Sequence, residues 1–274
     1  MKTSYLIRLL VLAFLAILST LSFGRIVQLH ADINGSQEVP SNASDSIGRA
    51  TMQFNTEDNT FDLIVTLHKF DEPLLASHIH QAYAGTNGPV RFNLGGESSY
   101  TRGKNNLKLK VKRGTYTGDV AMLLSGGAYL NFHTAAFPGG EVRGQLYPGP
   151  IELMAVADGL QEVPPNGSPA TGVVLATYYP RSNTIDLSIT LLGFSNDLVG
   201  SHIHQAPFGV NGPVVVGIGN ESAYTRVGDD LEGEFEDLAY GGDPALLITG
   251  GAYVNFHSNV IPSGEVRGQL EVVD

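Results

Sequence analysis

The segment Ser77-His78-Ile79-His80-Gln81-Ala82 occurs a second time as Ser201-His202-Ile203-His204-Gln205-Ala206. Each position of the second copy lies 124 residues after its counterpart in the first. Other segments recur at the same offset without a net insertion, so the chain is a tandem duplication. They are Gln37-Glu38-Val39-Pro40 with Gln161-Glu162-Val163-Pro164, Tyr129-Leu130-Asn131-Phe132-His133 with Tyr253-Val254-Asn255-Phe256-His257, and Gly140-Glu141-Val142-Arg143-Gly144-Gln145-Leu146 with Gly264-Glu265-Val266-Arg267-Gly268-Gln269-Leu270.

The repeat divides the 274 residues into two domains of ordinary size. A period of this length is too long for a solenoid unit, so each copy is expected to bury its own core. Glycine is abundant at 33 residues and tryptophan is absent, which favours short strands joined by turns. We predict an all-β protein of two tandem antiparallel β-sandwich or Greek-key barrel domains. The expected boundaries are 25–147 for domain 1, 148–150 for a linker and 151–274 for domain 2.

Local patterns predict strands and one short helix in each domain. Leu107 to Val111 alternates apolar and lysine side chains, which is typical of a strand with one face in water. Asp119 precedes the apolar stretch Val120 to Leu124, and Gly126 follows it closely. An aspartate cap and a glycine stop predict a short helix here, and the second copy has a similar pattern after Asp243.

The N-terminus has the pattern of a secretory signal. Lys2 and Arg8 precede an apolar stretch from Leu9 to Phe23, which is shorter than a membrane-spanning helix. We predict a signal peptide over residues 1–24 and therefore a secreted, periplasmic or cell-surface protein, without a membrane span after cleavage. An uncleaved N-terminal anchor is the alternative. The chain has no cysteine, so its two cores must hold it without disulfides.

The net charge of −11 is unevenly divided. Residues 25–150 carry 11 basic and 11 acidic side chains, whereas residues 151–274 carry 3 basic and 16 acidic side chains. An acidic chain of this kind repels the phosphate backbone, so we expect no nucleic-acid partner.

The repeated segments hold six of the eight histidines. In a strand, residues i and i+2 lie on one face, so His78 and His80 share a face, and His133 arrives from another strand. Three neutral imidazoles suit copper or zinc and leave one coordination position open. We predict one surface metal site in each domain. The ligands are His78, His80 and His133 in domain 1 and His202, His204 and His257 in domain 2.

Polar residues on the same strand faces are candidates for orienting these ligands through hydrogen bonds. If the apolar faces form the core, this polar patch lies on the outer surface of the sheet. Two interpretations stay open: the histidines bind a metal, or they are hydrogen-bonded scaffold. Glu141 and Arg143 likewise either support the site or pair structurally with each other or with turns. The supporting candidates are Asn131, Glu141 and Arg143 in domain 1 and Asn255, Glu265 and Arg267 in domain 2.

The sequence lacks two common catalytic motifs. It has no Gly-x-Ser-x-Gly elbow and no His-Glu-x-x-His motif. The glycine-rich turns Gly85 to Gly88 and Gly209 to Gly212 are expected to be plain turns, because a phosphate-binding loop needs a following helix. These observations favour a binding or structural protein over an enzyme.

The four repeated segments jointly resemble the CHRD domain family, named from chordin and found in many bacterial exported proteins. The resemblance covers the chain from about Ile26 onwards and implies extracellular β-domains, with protein binding as a role. The second copy has Ser263 where the first has Gly139, a minor departure. The His-x-His strand with a distant histidine also resembles the copper half of copper–zinc superoxide dismutases, whose other ligands and disulfide have no match here.

Three functions follow from these patterns and resemblances. The first is an exported binding or structural protein with one copper or zinc site per domain. The second is a metal-free module that binds an extracellular protein. The third is a copper redox enzyme resembling superoxide dismutase.

The repeat also places two oppositely charged strands at equivalent positions. One interpretation is that the charges keep two exposed strands from aggregating. The other is that the chain associates with itself through these strands. The lysines are Lys108, Lys110 and Lys112, and the glutamates at the matching positions are Glu232, Glu234 and Glu236.

Overall fold

The computed structural model describes residues 26–273. The signal peptide predicted at 1–24 lies outside the described residues. Within them, no helix has the length and hydropathy that a membrane crossing requires.

Domain 1 is one continuous antiparallel sheet of nine strands. The strands are β1 (Ile26–Asn34), β2 (Ile47–Asn55), β3 (Thr60–His68), β4 (Ala76–His80), β5 (Val90–Gly95), β6 (Thr101–Arg102), β7 (Asn106–Thr115), β8 (Ala128–His133) and β9 (Val142–Pro148). Their order across the sheet is β5-β4-β8-β9-β1-β2-β3-β7-β6. The order brings β4, β8 and β9, which carry the repeated polar segments, side by side.

This sheet curls so that its two ends face each other across the core. Phe92 of β5 packs edge-on against Phe61 of β3, with ring centroids 4.9 Å apart. Alternate residues of each strand fill the interior, as Leu63, Val65 and Leu67 do on β3, and the residues between them lie on the outer face. Domain 1 is therefore a half-barrel with one apolar interior.

Domain 2 repeats the arrangement with a sheet of ten strands. The strands are β10 (Ile151–Asp158), β11 (Thr171–Tyr179), β12 (Thr184–Leu192), β13 (Leu198–His204), β14 (Val214–Gly219), β15 (Thr225–Val227), β16 (Asp230–Ala239), β17 (Tyr253–Ser258), β18 (Val266–Gln269) and β19 (Glu271–Val272). Their order is β14-β13-β17-β18-β10-β11-β12-β16-β15, and β19 pairs with β10.

Each domain has one short α-helix: α1 (Val120–Leu124) and α2 (Pro244–Leu247). The Asp119 carboxylate caps α1 by accepting from the backbone N–H of Met122 at 3.1 Å, and Asp243 caps α2 in a similar way. The prediction of two antiparallel all-β domains with one short helix each is confirmed. Single turns of 3-10 helix occur at Gly35–Gln37, Glu97–Ser99, Gly159–Gln161 and Glu221–Ala223.

The two domains touch beside a very short connection. Because β9 runs to Pro148, only residues 149 and 150 separate it from β10. The hydroxyl of Tyr83 donates to the Asp243 carboxylate at 3.4 Å, and Arg181 lies 3.2 Å from the carboxylate of Asp32. The loop that follows β4 is thus in contact with domain 2.

Separate cores predict separate unfolding transitions. Leu63 and the equivalent Leu187 are each buried in the core of their own domain. Leu63→Ala should lower the unfolding free energy of domain 1 by about 2–5 kcal/mol and leave domain 2 unchanged. Leu187→Ala is the matched variant with the reverse effect. Calorimetry that shows one transition shifted equally by both variants would contradict the separation.

Candidate metal centre

The histidine clusters are positioned by strand register. His78 and His80 alternate with Ile79, which is buried in the core, so both imidazoles lie on the outer face of β4. His133 of β8 pairs with Ala76, two residues before His78. It is therefore the diagonal neighbour of His78 on the same face, within reach of its side chain.

The three imidazoles of each domain converge. The nitrogen atoms of His78, His80 and His133 that could bind a metal all lie within 4.8 Å of one another, and Nδ1 of His78 is 3.3 Å from Nε2 of His133. Among residues 26–273, only one other group of three histidines or carboxylates is as compact. We call the domain 1 group site 1, and the group of His202, His204 and His257 site 2.

Backbone carbonyls orient two imidazoles of site 1. Nδ1 of His80 lies 2.8 Å from the carbonyl oxygen of Gly88. Nδ1 of His133 lies 3.2 Å from the carbonyl oxygen of Pro138. A carbonyl oxygen only accepts, so each Nδ1 carries the proton and each Nε2 keeps a lone pair. Site 2 has the same contacts, from His204 to Gly212 at 2.9 Å and from His257 to Pro262 at 3.1 Å.

The nitrogen atoms that remain are buried and have no hydrogen-bond partner in the described part of the chain. At site 2 these are Nδ1 of His202 and Nε2 of both His204 and His257. At site 1, Nε2 of His80 is also unpaired, whereas Nδ1 of His78 and Nε2 of His133 lie within hydrogen-bond distance of each other. Buried polar atoms are nearly always paired, so three such nitrogens at one point fit a metal ion that accepts imidazole ligands.

Burial also sets the protonation of the clusters. At site 1 it lowers the pKa of all three imidazoles, and at His78 the neighbouring imidazoles lower it further. At site 2, burial lowers the pKa of His202 and His257. These side chains are therefore neutral at neutral pH, which is the form that binds metal ions.

A stack of three side chains supports His80. Its ring lies parallel to the ring of Tyr129, with centroids 4.9 Å apart. The guanidinium of Arg143 lies 3.5 Å from the centre of the same tyrosine ring. Because β8 runs between β4 and β9, the tyrosine is held between the imidazole and the guanidinium. His204, Tyr253 and Arg267 form the equivalent stack at site 2.

The polar face is buried, which corrects the prediction of a patch on the outer surface. Asn131 is 3 % exposed, Glu141 4 % and Arg143 1 %, and the histidines are half-buried. Arg143 donates to the carbonyl oxygens of Thr86 at 2.8 Å and Tyr83 at 3.2 Å. These bonds tie the loop over residues 81–89 down onto the strands. Arg267 ties down the equivalent loop through the carbonyls of Pro207 and Val210.

In the described chain, neither Glu141 nor Asn131 hydrogen-bonds an imidazole, although both were candidates for supporting the site. Glu141 accepts from the hydroxyls of Ser46 at 2.7 Å and Thr134 at 2.8 Å. Asn131 donates to Glu38 at 3.4 Å. The same holds in domain 2, where Glu265 accepts from Ser168 and Asn196, and Asn255 bonds Glu162.

Sequence reasoning missed the carbonyl of Gly88 as a support for His80. The turn was expected to be plain, although its Asn-Gly-Pro sequence recurs at the repeat offset, eight residues after the second histidine. A Cβ at Gly88 would lie 1.9 Å from the carbonyl oxygen of Gln81, so only glycine fits. Gln145 was missed as well. Its amide donates to the carbonyls of Ala82 and Gly126 and holds the same loop.

A buried carboxylate lies at the edge of the polar face in each domain. Glu38 is 6 % exposed, and its Oε1 has no partner among the described residues. Burial raises the pKa of Glu38 to about 7, although the charge of Arg143 and the bond from Asn131 oppose the shift. Burial raises the pKa of Glu162 to about 7 in the same way.

Comparison with known families supports the duplication. A sequence model of the CHRD domain matches residues 29–146 and again residues 153–270. The two matches are offset by the period of the repeat and together cover most of the chain. Both include all three histidines of their site. No curated protein matches the chain.

The raised pKa of Glu38 and Glu162 predicts a pH-dependent stability. A carboxyl whose pKa is higher in the folded than in the unfolded state stabilises the fold at low pH, and this contribution is lost as the pH rises through about 7. Between about pH 5 and pH 8, the unfolding free energy of the metal-free protein should fall by up to about 3 kcal/mol for each of these two carboxyls. Glu38→Gln and Glu162→Gln should each lack the fall that the replaced carboxyl causes. Urea unfolding measures the difference. Parallel pH profiles for wild type and variants would contradict it.

Proposed function

The chain belongs to the CHRD domain family, and we propose that it is an exported binding protein whose two domains each hold one copper or zinc ion. Tandem CHRD domains support a binding or structural role, and CHRD domains are typically extracellular. Six histidines would be the ligands: His78, His80 and His133 at site 1 and His202, His204 and His257 at site 2.

The observation that carries the proposal is the set of buried nitrogens that converge at each site. Two backbone carbonyls fix the proton on Nδ1 of His80 and His133, so Nε2 of each ring keeps a lone pair that a metal can bind. Scaffold histidines would use both ring nitrogens in hydrogen bonds, whereas Nε2 of His80, His204 and His257 has no such partner among residues 26–273. Imidazoles whose second nitrogen is held by a carbonyl are the usual arrangement around a metal.

The donor set favours copper or zinc over other metals. All donors of the two clusters are imidazole nitrogens, and no carboxylate of residues 26–273 belongs to either cluster. Magnesium and calcium prefer oxygen donors, whereas copper and zinc accept three imidazoles. A three-histidine centre would leave a position for a small ligand, beneath the covering loop.

A second function, binding of an extracellular protein, is favoured by the loop that covers site 2. Phe208 is 67 % exposed and Val210 is 49 % exposed on this loop. The equivalent loop of domain 1 has Ala84 and Thr86 at these positions. Exposed apolar side chains of this kind are common where proteins bind each other.

Metal content tests the first function. The full-length protein, purified without a histidine tag, should bind about two equivalents of copper or zinc, one for each three-histidine site. His80→Ala should bind about one, and the double variant with His204→Ala none, because a tetrahedral site needs three protein ligands. Elemental analysis after loading and dialysis gives the counts.

His68→Ala is the matched control, since His68 is an exposed histidine outside both sites. It should retain both metals. If the wild type retains none after loading, the histidines are scaffold and the protein-binding function stands alone. Turnover of superoxide by the copper form would instead favour the redox enzyme.

The carbonyl of Gly88 gives an independent test of site 1. Gly88→Ala must move the turn, because its Cβ would collide with the Gln81 carbonyl, and His80 then loses its support. Metal affinity at site 1 should fall by about 10–100-fold. Gly139→Ala is the control, because a Cβ at Gly139 meets no atom within 4 Å. Competition with a metal chelator measures both, and equal affinities would contradict the role of the carbonyl.

A further inference from the structure

Two rows of charged side chains lie on the outer faces of the domains. The basic row is Lys108, Lys110, Lys112 and Arg113 on β7, and the acidic row is Glu232, Glu234, Glu236 and Asp237 on β16. We propose that the chain associates with a second copy of itself by docking the basic row of one copy against the acidic row of the other.

The two rows have the same backbone geometry with opposite charge. Lys110 pairs with Ile64 on the adjacent strand, and Glu234 pairs with Ser188 at the equivalent position. Both strands then bulge. Arg113 and Asp237 occupy the bulges with φ values of 50° and 55°. Each donates its backbone N–H to an aspartate, Asp62 or Asp186, at 2.9 and 2.8 Å. The two strands therefore have the same backbone structure at these four positions and differ in the charge of their side chains.

Both rows are available to a partner. All eight side chains are exposed. In the described chain, no carboxylate forms a salt bridge with Lys108 or Lys110, and no basic side chain forms one with the acidic row. Lys112 pairs with Asp62, Arg113 lies 3.6 Å from the carboxylate of Asp58, and Glu234 accepts from the Ser188 hydroxyl. Within residues 26–273, the local structure thus leaves two of the four basic side chains, and all four acidic side chains, without a salt bridge.

Each row also has an exposed aliphatic side chain nearby. Ile64, beside Lys110, is 52 % exposed. Leu175 pairs with Ser188, next to Glu234, and is 53 % exposed. Contact between the rows would remove apolar surface from water as well as pair charges. A strand that only repels other chains needs the charges but not the exposed aliphatic residues.

A second copy is the partner that fits both rows. Side chains on one face of a strand repeat about every 7 Å, so the rows match in spacing as well as in sign. Among the described residues, the two rows of one chain form no salt bridge with each other. A two-fold arrangement of two chains joins each basic row to an acidic row and leaves neither row unpaired.

Sedimentation of the full-length protein tests the association. Contacts made by exposed charges are screened by salt, with a Debye length of about 30 Å at 0.01 M and about 3 Å at 1 M. The mass should therefore be that of a dimer or larger species at low salt and that of a monomer at high salt. A monomer at both salt concentrations, up to the highest protein concentration measured, would overturn the proposal.

Charge reversal gives the sharper test. Lys108→Glu, Lys110→Glu and Lys112→Glu together make both rows negative, and Glu232→Lys, Glu234→Lys and Glu236→Lys together make both rows positive. Each triple variant alone should stay monomeric at low salt. Mixing the two should restore association, as should combining all six changes in one chain.

The restored association separates docking from a loss of folding, because an unfolded variant cannot regain its partner. Circular dichroism of each triple variant checks that the sheets are intact. If either triple variant associates as the wild type does, or if the mixture stays monomeric with both variants folded, the rows are not the interface.

Discussion

The buried guanidinium of Arg143, with its repeat Arg267, is the interaction on which the rest of the site depends. A buried cation is costly unless its donors are paired. Here two loop carbonyls accept from it, and a tyrosine ring lies 3.5 Å below it. The loop carbonyls therefore stabilise the charge, and the charge in turn fixes the loop. Without these bonds, the loop over residues 81–89 would keep fewer attachments to the polar face of the sheet, such as the amide of Gln145 donating to the carbonyl of Ala82.

The fixed loop determines what the histidines can do. It carries the carbonyl of Gly88, which selects the tautomer of His80 by accepting from Nδ1. The tyrosine below the guanidinium also stacks on His80 and limits its ring orientation. One network thus links β9, β8, the loop and the imidazole. A three-imidazole cluster on an uncovered sheet would lack both the orientation and the burial that keeps its ligands neutral.

The period of two residues in strands was enough to predict which side chains share a face, and the 124-residue repeat distinguished His78, His80 and His133 from the two unrepeated histidines. It was not enough to predict burial. Periodicity separates two faces but does not show what covers the polar one. The cover depends on contacts far apart in sequence, such as the amide of Asn42 donating to the carbonyls of Gly140 and Glu141. The two interpretations of Glu141 therefore stayed open in the sequence, and in the structure it accepts from the hydroxyls of Ser46 and Thr134.

The duplication shows within one chain which positions the fold constrains. Arg143, Tyr129 and Gln145 recur as Arg267, Tyr253 and Gln269, because each of these buried side chains has partners at fixed distances. Outer positions have fewer partners within their own domain and differ between the copies, as with the lysines of β7 and the glutamates of β16. The covering loops differ in the same way: Tyr83 of the first contacts Asp243 of domain 2, whereas the second exposes Phe208. The two sites therefore share their chemistry, because the same buried network orients the histidines of both. They differ in their surroundings, because the surface next to each covering loop differs.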